Sequence, residues 1–105
     1  MNIIQTAKEF YGLEGYEFIP AAGHEGGRNQ ILNCIRNGEK RYVLRVSALA
    51  DRTEEDYLAE TEFVHYLARH GAPAADVIPS VSGRLVESAA DEGKTVYISL
   101  FAYAK

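Results

Sequence analysis

The chain has 105 residues, of which 47% are apolar and 10% aromatic, enough for one small core and too apolar for a disordered chain. Fifteen acidic and eleven basic residues give a net charge of −4, and because no basic cluster occurs we expect no nucleic-acid partner. The single cysteine, Cys34, excludes an internal disulfide and fits a reducing, cytoplasmic setting. We also expect no membrane partner, because no apolar run approaches the roughly 18 residues of a membrane span.

The first half of the chain predicts one short helix and three strands. The helix covers residues 2–11, where apolar side chains recur at helical spacing, and Gly12 suits its C-cap. Asn37 and Gly38 form the strongest hairpin signal, because both central positions of a type I′ turn need a positive φ. The strands are expected at residues 16–21, 30–36 and 41–47.

The second half predicts one long helix followed by further strands. Thr53 precedes three acidic residues, a pattern typical of an N-cap and first turn, and Gly71 with Pro73 should end the helix near His70. Weak strands are expected at residues 77–81 and 85–87, and a firm strand at residues 95–101. The order predicts an α+β domain: a five-stranded antiparallel sheet with one long packed helix and a short N-terminal helix.

Two charged residues fall where the pattern predicts apolar packing. Arg45 lies inside the third strand, and Glu60 lies on the apolar stripe of the long helix. The helical neighbours of Glu60 are Tyr57, Phe63, Val64 and Leu67. Either charge has an ordinary explanation, as a side chain that reaches water or as an edge-strand charge. The hairpin order places the third strand inside the sheet, however, so we predict an Arg45–Glu60 ion pair.

A glycine-rich loop precedes the second predicted strand. It contains Gly23, Gly26 and Gly27 and ends at Asn29. Such a loop between two strands can lay its amides over phosphates, although three glycines are by themselves typical of a flexible turn. The loop opens no helix, so it is neither a Rossmann nor a P-loop motif, and it departs from the protein-kinase pattern.

Four segments in order resemble the N-terminal, nucleotide-binding lobe of the aminoglycoside phosphotransferase and choline kinase superfamily. The strongest likeness is to bacterial homoserine-kinase-like and stress-response-kinase-like members. The segments are residues 26–31 (GGRNQI), 42–47 (YVLRVS), 59–67 (AETEFVHYL) and 71–73 (GAP). The resemblance runs over nearly the whole chain from residue 16 onward, so we expect residues 1–105 to form one kinase-like small lobe.

The resemblance implies ATP as the ligand, with Mg²⁺ held elsewhere. Arg45 takes the place of the strand lysine that contacts the α- and β-phosphates, and Glu60 that of the helix glutamate that orients it. The glycine loop and Asn29 would cover the phosphates. The adenine pocket is expected to be formed by Ile19, Ile31, Val43, and a hinge strand at residues 99–103 that includes Ser99 and Phe101 and offers main-chain groups to the adenine edge.

The motif that the superfamily uses for catalysis and magnesium binding, His-Gly-Asp-x-His-x-x-Asn, does not occur in the sequence. We therefore expect a C-terminal lobe as partner and an inactive chain without it. Exposure of residues 96–103 and of the pocket walls is expected to drive self-association. The alternatives are a non-catalytic interaction domain with the same fold, or an unrelated domain in which Arg45 and Glu60 never meet. His65 and His70 stand five apart on the predicted helix, so we expect no zinc site.

Overall fold

The computed structural model describes residues 3–21, 29–48, 52–73 and 75–103, and of Asn29 only the main chain. Most of the glycine-rich loop, with Gly23, Gly26 and Gly27, lies outside the described residues. The elements are α1 (Ile3–Tyr11), β1 (Glu17–Pro20), β2 (Asn29–Arg36), β3 (Glu39–Ser47), α2 (Glu54–Arg69), β4 (Val77–Ile78), β5 (Glu87–Asp91) and β6 (Lys94–Ala102). No helix in the described part of the chain is long and apolar enough to cross a membrane.

The strands form one antiparallel sheet in the order β1-β2-β3-β6-β4, and β5 also pairs with β6. The predicted α+β fold is confirmed, with one strand more than expected. The weak strand predicted at residues 77–81 is only two residues long, because the chain turns away towards α1. There the Val81 N–H donates to the Phe10 carbonyl at 2.8 Å. β4 and β5 thus share one edge of β6, and β3 and β6 lie inside the sheet.

Two tight hairpins fix the register of the sheet. Asn37 and Gly38 adopt φ values of 54° and 77°, as the predicted turn between β2 and β3 requires. Glu92 and Gly93, with φ values of 51° and 78°, join β5 to β6 in the same way. Both loops have two residues, so the first pairs of each hairpin follow directly from its turn. Between β2 and β3 the register then shifts at a bulge, where Ile35 pairs with Lys40 but Cys34 pairs with Tyr42.

The ends of α2 form as the sequence predicts. The Thr53 side chain accepts from the Asp56 N–H, and the Asp56 carboxylate accepts from the Thr53 N–H at 2.9 Å, which makes a capping box. At the other end, Gly71 has a φ of 86°, and the Ala72 N–H donates to the Leu67 carbonyl at 3.0 Å. This is the pattern of a Schellman motif, and it satisfies carbonyls that the helix would otherwise leave open.

The main apolar core lies between the sheet and the short helix α1. Ala7 and Tyr11 of α1 are buried there, and the Tyr11 hydroxyl donates to the Ile98 carbonyl at 3.1 Å. The sheet contributes Leu32, Cys34, Leu44, Val46, Val96, Ile98 and Leu100, and Leu13 packs with them. Burial raises the pKa of Cys34 to about 12, so its thiol is a packing group here.

Candidate functional site

Arg45 lies on the sheet face opposite the main core. Side chains alternate along a strand, so Leu44 and Val46 point into the core while Arg45 points towards α2. Its cross-strand neighbours are Ile31 on β2 and Ser99 on β6. Only 14% of the Arg45 side chain is exposed. A charged group so enclosed needs a partner of opposite charge.

Glu60 of α2 is that partner. Its Oε1 lies 2.8 Å from Arg45 Nη2, so the predicted ion pair is confirmed and the alternative in which the two residues never meet is wrong. The helix presents this side chain to the sheet one turn after Tyr57, which is 1% exposed. The stripe around Glu60 is less buried than the sequence suggests, because Phe63 is 61% exposed.

The contact between the two charges is close but poorly directed. Arg45 Nη2 and Glu60 Oε1 are both shielded from solvent, yet neither has a hydrogen bond of acceptable geometry within the described part of the chain. Coulombic attraction therefore accounts for the contact, and the N–H groups of Nη2 do not point at the carboxylate. A buried donor without a well-placed acceptor is costly, so this contact is weaker than its short distance suggests.

A second arginine, Arg52, reaches the same carboxylate. Its Nη2 lies 3.6 Å from Glu60 Oε1 and donates to the Asp56 carbonyl at 3.4 Å. The sequence pattern places Arg52 in a loop and gives no direct sign of this contact. The available signal was its place directly before the Thr53 N-cap, at the start of the helix that carries Glu60. The Asp56 carboxylate also interacts electrostatically with Arg52, so the two guanidinium groups are accompanied by two carboxylates.

Aromatic rings hold both arginines in place. The Arg45 guanidinium carbon lies 5.4 Å from the ring centres of both Tyr57 and Phe101, and that of Arg52 lies 4.3 Å from the Tyr57 ring centre. The Tyr57 hydroxyl is 2.6 Å from the Ser47 hydroxyl, so the ring is anchored to β3. The two cations are thus oriented by a buried ring, and little ordering is left for a ligand to impose.

The apolar residues expected to form the adenine pocket share this sheet face. Ile19 pairs with Asn33, Asn33 with Val43, and Val43 with Phe101, so Ile19, Val43 and Phe101 lie in one row across the sheet. Ile31 lies in the next row, beside Arg45. Ile19 is 46% exposed, and the other three are half-buried. Ser99 is 1% exposed, so its side chain lies under the site and presents no surface.

The hinge expected at residues 99–103 differs from the prediction in two ways. The Ala102 N–H donates to the Asp76 carbonyl at 2.8 Å, and the Tyr103 N–H donates to the Arg41 carbonyl at 3.1 Å, so neither amide is open to an adenine ring. The expected exposure of residues 96–103 is wrong for Val96, Ile98 and Leu100, which are at most 5% exposed, whereas residues 101–103 are half-buried. The reason is that β6 is an inner strand, paired on both sides and packed on α1.

His65 of α2 and His70 at its C-cap each have a polar contact to a neighbouring group. His65 Nδ1 lies 2.8 Å from Asp76 Oδ1, and His70 Nδ1 lies 2.8 Å from the Tyr66 carbonyl. The Tyr66 and His70 rings also stack, with centres 4.1 Å apart. Across the ranges 3–21, 29–48, 52–73 and 75–103, no three His, Cys, Asp or Glu side chains gather as a metal site would require.

The sheet, its inner-strand arginine and its helix glutamate define a kinase-like small lobe. The solved structure of amicoumacin kinase hAmiN in complex with AMP-PNP, Ca²⁺ and Ami matches 97% of this chain, with a TM-score of 0.75 and 22% sequence identity. This chain spans only 30% of the length of that kinase chain. No family model matches the sequence, and no curated protein does. At this level of identity the similarity confirms the predicted fold.

Proposed function

We propose that the chain is the nucleotide-binding lobe of an ATP-dependent phosphotransferase. The acceptor would be a hydroxyl group, either of a small molecule, as in aminoglycoside, choline or homoserine kinases, or of a protein serine or threonine. The observation that carries the proposal is the Arg45–Glu60 contact on a partly open, apolar sheet face. Its place in a fold shared with a kinase described in complex with AMP-PNP supports the same conclusion.

The residues of this face divide into two parts that fit the two ends of a nucleotide. Arg45 and Arg52 supply the positive charge that a polyphosphate needs, and Glu60 keeps the Arg45 guanidinium in position. Ile31, Val43 and the more exposed Ile19 supply apolar surface for a base. The glycine loop and Asn29 are proposed to cover the phosphates.

Magnesium and the reacting groups are proposed to belong to a second, C-terminal lobe. The described residues offer no cluster of acidic side chains for the metal, and the sequence lacks the His-Gly-Asp-x-His-x-x-Asn motif. Mg²⁺ would neutralise charge on the transferring phosphoryl group once both lobes enclose ATP. We therefore expect the 105-residue chain to bind nucleotide without phosphotransferase turnover.

The test is ATP binding by the chain and by two variants that each lose one positive charge from β3. Arg45→Met should weaken ATP binding by about tenfold or more, since it removes a charge-assisted contact to phosphate. Arg41→Met is the matched control: Arg41 is on the same strand but pairs with Glu39 at 3.6 Å. It should change affinity less than about twofold. Equal affinities in calorimetric titrations of both variants would contradict the proposal.

A non-catalytic interaction domain is the second candidate, and one observation favours it. Phe63 and Tyr66 of α2 are 61% and 55% exposed, a pair of aromatic side chains typical of a protein contact surface. If the wild-type chain fails to bind ATP, this candidate becomes the better explanation. Sedimentation of the wild type and of Phe63→Ser would then show whether the surface joins two copies of the chain.

A further inference from the structure

We infer that Arg52 is a second phosphate-binding residue, acting with Arg45 on the same polyphosphate tail. The inference rests on the proposed function and extends it, because two arginines, rather than one, would then bind the negatively charged phosphates of the nucleotide. The lobe would thereby distinguish a nucleoside triphosphate from a nucleoside, which carries no negative charge.

The geometry that supports the inference is the sharing of one oxygen. Arg45 Nη2 and Arg52 Nη2 approach Glu60 Oε1 at 2.8 Å and 3.6 Å, so the two guanidinium groups can reach a single anionic oxygen from different elements. A phosphate group carries several such oxygens, and guanidinium groups bind them through paired N–H donors.

The surroundings of Arg52 keep it available for this role. Its side chain is 30% exposed, more than twice the 14% of Arg45, so it lies on the solvent side of the cluster. Its guanidinium carbon lies 4.3 Å from the Tyr57 ring centre, and its Nη2 donates to the Asp56 carbonyl at 3.4 Å. The contact with Glu60 at 3.6 Å is long for a hydrogen bond and can be exchanged for a phosphate at small cost.

Three variants, at one position in α2 and one in its N-terminal flank, test the inference. Arg52→Gln should weaken binding of ATP by about three- to tenfold, and binding of adenosine by less than about twofold, since adenosine carries no phosphate. Arg69→Gln is the control: it removes one charge at an exposed position in the last turn of α2. Arg52→Lys keeps the charge but loses the planar group and should fall between wild type and Arg52→Gln.

Each outcome separates the inference from the function on which it rests. Inorganic tripolyphosphate should compete with ATP for the wild type and compete less well for Arg52→Gln. If wild type binds ATP and Arg52→Gln matches Arg69→Gln, Arg52 is no phosphate ligand, although the proposed function stands. If Arg52→Gln loses adenosine and ATP binding equally, its role is structural and the inference fails. If the wild-type chain binds no adenine nucleotide, the proposed function is wrong, and the inference that rests on it is wrong as well.

Discussion

The two faces of the sheet differ in the polarity and exposure of their side chains. The face under α1 is apolar and closed: Leu44 and Ile98 are 0% exposed there, and its buried hydroxyl, Tyr11, donates to a main-chain carbonyl. The face under α2 carries an arginine, buried hydroxyl groups and half-exposed aliphatic side chains. Adjacent residues of one strand serve the two faces, as Leu44 and Arg45 show. The fold is stabilised mainly by one face, which leaves the other free to hold charge.

The largest expected effect comes from removing a side chain from the closed face. Leu44→Ala should lower the free energy of unfolding by about 3 kcal/mol, because it leaves a cavity among fully buried neighbours. Val43→Ala, one residue away on the open face, should cost about 1 kcal/mol. Urea unfolding of both variants measures the difference. Similar losses would show that the two faces contribute equally to stability.

A smaller effect is expected from breaking the ion pair, and it should depend on which partner is removed. Glu60→Leu should cost about 1–2 kcal/mol, because it leaves the 14%-exposed Arg45 without its carboxylate. Arg45→Met should cost less than about 1 kcal/mol, since Glu60 is 39% exposed and keeps Arg52 nearby. Thermal unfolding of the two variants should rank them in this order. The reverse order would show that Glu60, rather than Arg45, carries the larger burial cost.

The smallest effect is expected at the N-terminus of α2, on the exposed side of the open face. The hydrogen bond from the Thr53 N–H lowers the pKa of Asp56 below its ordinary value of 3.8. A carboxyl whose pKa is lowered by folding stabilises the fold above its unfolded pKa, and this contribution disappears as the pH falls through the folded value. Asp56→Asn should therefore lower the melting temperature slightly at about pH 7, and by less as the pH falls below 3.8. A pH-independent difference would exclude the carboxylate charge as its cause.

Local signals in the sequence are sufficient to predict the tight turn and the ends of the long helix. Asn37 and Gly38 required a type I′ hairpin, Thr53 with its acidic neighbours required a helix start, and Gly71 required its end. Each of these signals acts within a few residues, through φ angles and orphan N–H or carbonyl groups, so no distant contact could override it. Arg45 and Glu60 were predictable as a pair because each breaks an apolar pattern in a segment whose type was already clear.

The contacts between distant parts of the chain depend on how the strands pair and how the helices pack. The Ala102 and Tyr103 amides of the predicted hinge donate to the Asp76 and Arg41 carbonyls, and Val96, Ile98 and Leu100 are buried. The sequence does not show this, because pairing partners far along the chain leave no local signal. Arg52 joined the site for a similar reason: a loop arginine before a helix breaks no pattern, and only the packing of α2 on β3 brings it to Glu60. A charged residue can thus be recognised in the sequence where it interrupts an apolar pattern. The partner of a surface charge, in contrast, depends on packing alone.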